Sequence, residues 1–274
     1  MTEYRFDAHT QTIVDAVNAQ RAAQTYRLLD LFAGAGGSAE GYHRAGWLLY
    51  GVESDPERAK AYPYPVHVGN ALLVLSILVE GHAVDFVHPD GHVEWLYLTD
   101  FAAAHASPPC QGYTRGTVML PDRLSRYDRL IAVTRDLLDE TLLPYVIENV
   151  MGARPELRDP VMLCGRMFGL SATDTDGVLL TLDRHRLFEA HGFVLTAPVH
   201  HKHAKVQVAG VYGGARRDKV EARTIRKGGY VPKSLDVLRA LLGVERMCEY
   251  DLFLSIPPAY TEHVGRQMLT AVQA

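Results

Sequence analysis

The sequence predicts an α/β fold: a doubly wound, mainly parallel sheet with a small basic insert before its last helices. Three observations predict it. Short apolar runs alternate with stretches of helical spacing from Tyr26 onward. A glycine-rich turn joins the first run to the first helix, and a second run follows and ends in an acid, Glu53. Two later runs, 101–106 and 145–147, lead into polar segments that carry Cys110 and Glu148.

With 274 residues, 47% hydrophobic and 22% charged, the chain has the composition of a globular protein with a full core. No stretch is long and apolar enough to span a bilayer. The start, Met-Thr-Glu-Tyr-Arg, lacks a signal peptide's apolar centre, so a cytoplasmic protein without membrane attachment is expected. Cys110, Cys164 and Cys248 stand far apart with no CxxC pair, which favours reduced thiols over a disulfide framework or a zinc ribbon. The net charge of −4 argues against a uniformly basic nucleic-acid binder, although a local patch can hide within such a sum.

In chain order, residues 9–24 carry Ile13, Val14 and Val17 at helical spacing, giving an amphipathic N-terminal extension over 1–25. Residues 26–32 read as a buried strand, 33–38 as a glycine turn and the run through Ala45 as a helix. Such a turn offers backbone N–H groups and a helix N-terminus to a ligand that must come close. Residues 47–52 form a second strand ending in Glu53, about 20 residues after the glycines, where an acid can hold both hydroxyls of a ribose. The alternative is a plain tight turn, with Glu53 capping a helix that starts near Pro56. The spacing departs from GxGxxG and lacks the Lys-Ser/Thr of a P-loop, so a nucleoside without phosphates fits better than NAD or ATP.

Residues 66–70 resemble a third strand end, followed by a helix over 71–78. Residues 84–87 and 93–98 flank His88-Pro-Asp-Gly-His92, a turn sequence, and read as a hairpin decorating the surface. His82, His88 and His92 have no matching thiol or carboxylate set, and no metal is expected.

Pro108 and Pro109 cannot donate to a ladder, so they stop the strand 101–106 in a rigid corner that presents Cys110. A mobile basic loop with Arg115, Arg123, Arg126 and Arg129 follows. A thiol there serves either as a structural residue or as a nucleophile whose pKa nearby cations lower. A helix over 127–141 ends at Pro144, and the strand 145–147 delivers Glu148 to the same sheet edge as Cys110, the edge where open α/β sheets bind ligands. Arg184 and Arg186 fall on one face of a strand at period two, either as site residues or as a solvated edge.

Residues 200–233 carry nine Lys or Arg against two acids, with five glycines and two tyrosines, which suits a phosphate-backbone surface. The cluster His200-His201-Lys202-His203 reads as part of that surface rather than as a metal site. A helix over 235–242 and a closing helix after Pro258, placed to pack back on the first strand, complete the chain.

Taken together, Asp30-Leu-Phe-Ala-Gly-Ala-Gly-Gly37, Glu53, Pro108-Pro-Cys-Gln111, Glu148-Asn-Val150, Arg184-His-Arg186 and Ile256-Pro-Pro258 resemble, in order, the DNA (cytosine-5) methyltransferase family in its short bacteriophage-type form. The resemblance implies a Rossmann-like catalytic core over 26–189, a small target-recognition region over 190–233 and C-terminal helices over 234–274 that complete the core. It implies S-adenosylmethionine as cofactor, held by Phe32, Ala33, Gly34, Gly36, Gly37, Glu53, Asn70, Pro108 and Ile256. The implied partner of a monomeric enzyme in a bacterial host's cytoplasm is double-stranded DNA, gripped by Gln111, Arg115, Arg216, Arg217, Lys219, Arg223, Arg226 and Lys227. Cys110 would add to C6 of a flipped cytosine, Glu148 would protonate N3, Arg186 would bind O2, and Arg184 would support the thiolate or a phosphate. A transfer RNA cytosine or a catalytically silent DNA-binding role are the alternatives. Leu182 stands where many relatives carry Gln, Phe253-Leu254 where they carry Gly-Asn, and Asn70 where an Asp is common.

Overall fold

The computed structural model describes residues 25–114, 127–200, 206–211 and 230–274. The expected N-terminal helix, most of the loop after Cys110 and most of the basic segment lie outside the described residues. From the N-terminus, β1 (Arg27–Leu31) leads through the glycine turn to α1 (Gly37–Arg44), then β2 (Leu48–Glu53) and the short α2 (Pro56–Ala59). Next come β3 (Val66–Val68), α3 (Ala71–Val79) and a hairpin of β4 (Val84–Val87) and β5 (Val93–Leu96). Then β6 (Ala103–Ala106), α4 (Ile131–Thr141) and β7 (Tyr145–Val150) follow. The chain continues with β8 (Val161–Leu163), β9 (Ser171–Thr173), β10 (Leu179–Thr181), β11 (Arg186–His191) and β12 (Gln207–Val208). It ends in α5 (Leu235–Leu242), α6 (Glu249–Leu254) and α7 (Pro258–Gln273).

The main sheet has the order β5-β4-β3-β2-β1-β6-β7-β11-β8. Its centre, β3-β2-β1-β6-β7, is parallel, and antiparallel pairs extend it at both edges. β1 carries leucines on both faces because both faces are covered. Leu29 and Leu31 face a layer that includes Leu75, Leu78 and Leu138 of α3 and α4. Leu28 faces the layer of α1 and α7, with Tyr42, Tyr260, Val264 and Met268. Helices on both faces make the sheet doubly wound, as the alternating pattern predicts.

Three details differ from the sequence reading. The hairpin at 84–96 continues the main sheet through β4 rather than decorating the surface, because Val84, Phe86 and Leu96 are buried in the core. The closing helix α7 lies along α1 rather than directly on β1: Thr261 Oγ1 donates to Ser38 O at 2.7 Å and Trp47 Nε1 to Gly265 O at 3.0 Å. β11 starts at Arg186, so Arg184 precedes the strand instead of sharing a face of it.

A second, three-stranded sheet, β12-β10-β9, packs with α5 and α6 around Leu180, Leu182, Leu238, Leu241 and Phe253. Leu182 and Phe253, two of the residues that depart from the family pattern, are buried in this small core.

Candidate active site

The carboxyl ends of β1, β2, β3, β6 and β7 open on one cavity of about 330 Å³. Of the residues singled out in the sequence, Phe32, Ala33, Gly34, Gly37, Glu53, Asn70, Pro108, Cys110, Gln111, Glu148, Arg186 and Ile256 line it. Parallel pairing brings them together: Leu31 is in register with Val52 and with Ala106, and Ala106 with Ile147.

At the β1 and β2 end, the chain turns sharply after the strand. Phe32 and Gly34 have φ of 61° and 56°, and a non-glycine residue such as Phe32 rarely sits in that region without cause. Gly34 N–H donates to Glu53 Oε2 at 2.7 Å, and Asp55 N–H to Glu53 Oε1 at 2.8 Å. Glu53 therefore ties two loops together, and each carboxylate oxygen keeps acceptor capacity for a ligand. The cap of α2 is Asp55, whose side chain accepts from Glu57 N–H. A Cβ on Gly34 would meet no atom within 4 Å, so its backbone faces open space. Gly36 does not line the cavity; its φ of 87° caps α1, and a Cβ there would come within 2.7 Å of Pro63 Cδ. Gly37 is pressed against the chain before α7, since its Cβ would lie 2.0 Å from Ser255 Oγ. Asn70 Oδ1 accepts from Leu72 and Leu73 N–H as the cap of α3 while the residue also lines the cavity. Beneath the turn, Asp30 is fully buried, Tyr62 O–H donates to its Oδ2 at 3.1 Å, and burial raises its pKa to about 7.

These features fit a nucleoside cofactor with a cationic rather than a phosphorylated tail. The backbone cradle is open, Glu53 is a carboxylate acceptor, and among the described residues lining this end, acids (Glu53, Asp251) outnumber the one cation, Arg58. The α6 region supplies two wall residues that nothing in the sequence marked, Met247 and Asp251, and one that stood out as a departure from the resembled pattern, Leu254.

At the β6 and β7 end, Cys110 opens a 3₁₀ turn, Cys110–Tyr113, and Asn149 Nδ2 donates to Pro108 O at 2.9 Å, pinning the proline corner to β7. Burial pushes the Cys110 thiol up. Arg186 and Arg184 pull it down and Glu148 pushes it further up, leaving it raised. The two guanidinium groups lower this pKa as expected of nearby cations, but desolvation outweighs both and the net shift is upward.

Burial also raises the pKa of Glu148, against the lowering effects of Arg186, a hydrogen bond from Ser107, and Arg184. Arg186 Nε stands 3.1 Å from Glu148 Oε1. That N–H is not aimed at the oxygen, so Oε1 is buried with no hydrogen-bond partner among the described residues. An ion pair with one oxygen left over is a place for a polar ligand atom. Arg184 is buried beside the cavity rather than in it: Nη1 donates to Val211 O at 2.9 Å and Nη2 to Phe253 O at 2.7 Å. Desolvation, helped by Arg186, lowers its pKa to about 9.

No residue pattern marked the buried chain behind Glu148. Tyr42 Oη lies 2.9 Å from His105 Nδ1, His105 Nε2 lies 2.8 Å from Ser107 Oγ, and Ser107 bonds Glu148. Burial lowers His105 to about 3, so the ring is neutral. One proton arrangement satisfies every link: Tyr42 O–H to Nδ1, Nε2–H to Ser107, Ser107 O–H to Glu148. In an alternating strand His105 reads as a core position, and Ser107 as a residue before a proline corner.

Arg115, Arg216, Arg217, Lys219, Arg223, Arg226 and Lys227 lie outside the described residues. Among the described residues, no helix is long and apolar enough to cross a membrane.

No family model matches the chain. No curated protein matches it either. Among solved structures, one described as a DNA modification methyltransferase encoded within an E. coli prophage is 14% identical, covers 91% of this chain and 100% of its own, and superposes with a TM-score of 0.55. A Dnmt2 methyltransferase from S. pombe (13% identical, 90% and 99% covered, TM-score 0.48) and the methyltransferase EhMeth from Entamoeba histolytica (11%, 90% and 98%, 0.47) are more distant in shape. The likeness to the prophage-encoded protein runs over nearly the whole of both chains, and this protein shares its fold, a doubly wound, mainly parallel α/β sheet.

Proposed function

We propose that this protein transfers a methyl group from S-adenosylmethionine to C5 of cytosine in double-stranded DNA, through a covalent bond between Cys110 and C6 of a flipped base. The observation that carries this reading is the opening of Cys110, Glu148 and Arg186 onto the same cavity as the Gly34 and Glu53 cradle. A thiol beside a buried carboxyl has no evident task in a protein that only binds, and DNA binding needs neither.

When bound, S-adenosylmethionine supplies an electrophilic methyl group. Phe32, Ala33, Gly34, Gly37, Pro108 and Ile256 would enclose it, Glu53 would take its ribose hydroxyls, and Asn70 would meet the adenine edge. Gly36 would serve through the turn that it shapes. Cytosine C5 is a weak nucleophile until C6 is attacked, so Cys110 would first lose its S–H proton to solvent, and the thiolate then forms a bond to C6 while the C5–C6 double-bond electrons move towards C5. Glu148, whose pKa burial raises, would bring a proton to N3, so negative charge does not build on the ring. Arg186 would hold O2 and keep the Glu148 carboxyl turned to N3. C5 then takes the methyl group, its own proton leaves to a base, the Cys110–C6 bond breaks, and N3 returns its proton to Glu148. Arg184, bonded to two backbone carbonyls, would act by supporting the Arg186 turn and the field on the thiol. A base inside a duplex stack cannot reach Cys110, so the target must be extruded. Gln111 at the cavity mouth and the cations of 200–233 would hold the DNA around it.

The test is covalent trapping. Duplex DNA with 5-fluorocytosine and S-adenosylmethionine should give an adduct that survives a denaturing gel with the wild type and none with Cys110→Ser, because fluorine cannot leave C5 as a proton does. With cofactor binding confirmed and many sequence contexts tried, no adduct with DNA would sink the proposal. Tritium transfer into RNA alone would move the substrate to transfer RNA.

A further inference from the structure

Away from the cavity, three residues with soft or borderline ligand atoms converge from three separate chain segments. Cys164, fully buried, follows β8 and caps the 3₁₀ turn Gly165–Phe168. His185, half-buried, stands between Arg184 and Arg186, and His200, exposed, lies beyond β11 on the approach to the basic segment. Their ligand atoms all lie within 4.8 Å of one another, and the two imidazoles meet edge to face with centroids 5.9 Å apart.

Chance contact between surface histidines does not account for the fully buried sulfur at the same point. One thiolate and two imidazoles form a donor set that suits zinc and its neighbours and does not suit magnesium or calcium, which take oxygen. A tetrahedral ion with Zn–S of about 2.3 Å and Zn–N of about 2.0–2.1 Å sets its ligand atoms roughly 3.5 Å apart. The cluster must therefore tighten by about 1 Å, and an exposed ring such as His200 can move that far by side-chain rotation alone.

We propose that Cys164, His185 and His200 bind a single transition-metal ion of the zinc type, with solvent in the fourth position. Neither Cys164, His185 nor His200 lines the cavity, so the role is structural. The ion would clamp the turn that carries Arg184 and Arg186 to the end of β8, and would fix where the chain leaves the core towards its basic segment. The proposal is independent of the methyl-transfer reading, since it concerns a binding site with its own readout.

The experiment uses the full chain, stripped with a chelator, desalted and titrated with Co²⁺ and then Zn²⁺. The expected result is a thiolate-to-cobalt charge-transfer band in the near ultraviolet that saturates at one ion per chain and is displaced by Zn²⁺. Cys164→Ser should abolish the band. His200→Ala changes an exposed residue and should leave the circular dichroism spectrum unchanged, while weakening Co²⁺ binding about 100-fold or more. The proposal is overturned if the wild type gives no band, if the band survives in Cys164→Ser, which would put the ion on Cys110 or Cys248, or if His200→Ala binds as tightly as the wild type.

Discussion

At the scale of single residues, the site turns on how the pKa of a buried carboxyl is raised while its oxygens stay aimed at the cavity. Desolvation raises Glu148, and three groups oppose it: Arg186, Ser107 and Arg184. Ser107 is the one that can be removed without touching an arginine. Its O–H favours the charged form of Glu148, so Ser107→Ala takes away a lowering influence and the carboxyl titrates at higher pH. The expected result is an upward shift of the Glu148 midpoint, followed through its side-chain carboxyl carbon by NMR. At neutral pH, methyl transfer should fall less than in Glu148→Gln, which can hydrogen-bond N3 but cannot give it a proton and should lose about 10²–10⁴-fold. An unchanged midpoint in Ser107→Ala would show that the chain from Tyr42 through His105 ends before Glu148. Single residues were also where sequence reasoning went furthest and then stopped. Cys110 and Glu148 were legible because strand ends in such a sheet deliver side chains to one edge. The raised pKa of Cys110 was not, because it depends on how much water the fold removes from the thiol, and a linear sequence carries no burial.

Among the elements, the glycines separate packing from binding. A Cβ on Gly41 would lie 2.1 Å from Pro258 O and from Thr261 Oγ1, so Gly41→Ala forces α1 and α7 apart. That overpacking should cost about 2 kcal/mol, read as a lower urea midpoint at an unchanged slope. Gly34→Ala meets nothing within 4 Å, and its cost from the positive φ is about 1 kcal/mol. Its methyl group projects into open space beside Glu53, so cofactor affinity should fall more than stability does, as calorimetric titration with S-adenosylmethionine would report. A Gly34→Ala protein that binds the cofactor as tightly as the wild type would remove that cradle from the proposed site. The parallel centre of the sheet was readable from runs such as 26–32 and 145–147, which place apolar side chains on both faces. The edges were not. β4 and β5 carry turn signals that say hairpin, but whether a hairpin stands free or extends a sheet depends on where Phe86 and Leu96 find partners. Arg184 misled for a related reason: spacing of two suits a strand, while hydrogen bonds to Val211 O and Phe253 O hold it in a turn before β11 begins.

Across the whole molecule, charge is distributed against its own sum. The chain carries −4 overall, yet residues 200–233 hold nine Lys or Arg against two acids. The small sheet and α5 and α6, which flank this segment in sequence, reach the cavity through Met247, Asp251 and Leu254 and bond Arg184 through Phe253 O. A basic segment tethered to a unit that also walls the cavity can hold a polyanion next to Cys110 without making the rest of the surface attract it. On the proposed reading each phosphate contact contributes about 0.9 to the slope of log K against log salt concentration. Replacing Arg216, Arg217 and Arg223 together by Ser should therefore lower that slope by roughly 2.7 if all three contact phosphates. S-adenosylmethionine affinity should stay as it is, because the proposed cofactor contacts come from the ends of β1, β2, β3 and β6 and from Ile256 rather than from this segment. The measurement is duplex binding by fluorescence anisotropy across a salt series, beside cofactor titration of the same variant. An unchanged slope would take the basic segment out of the DNA interface and leave the arginines of the loop after Cys110 to carry it.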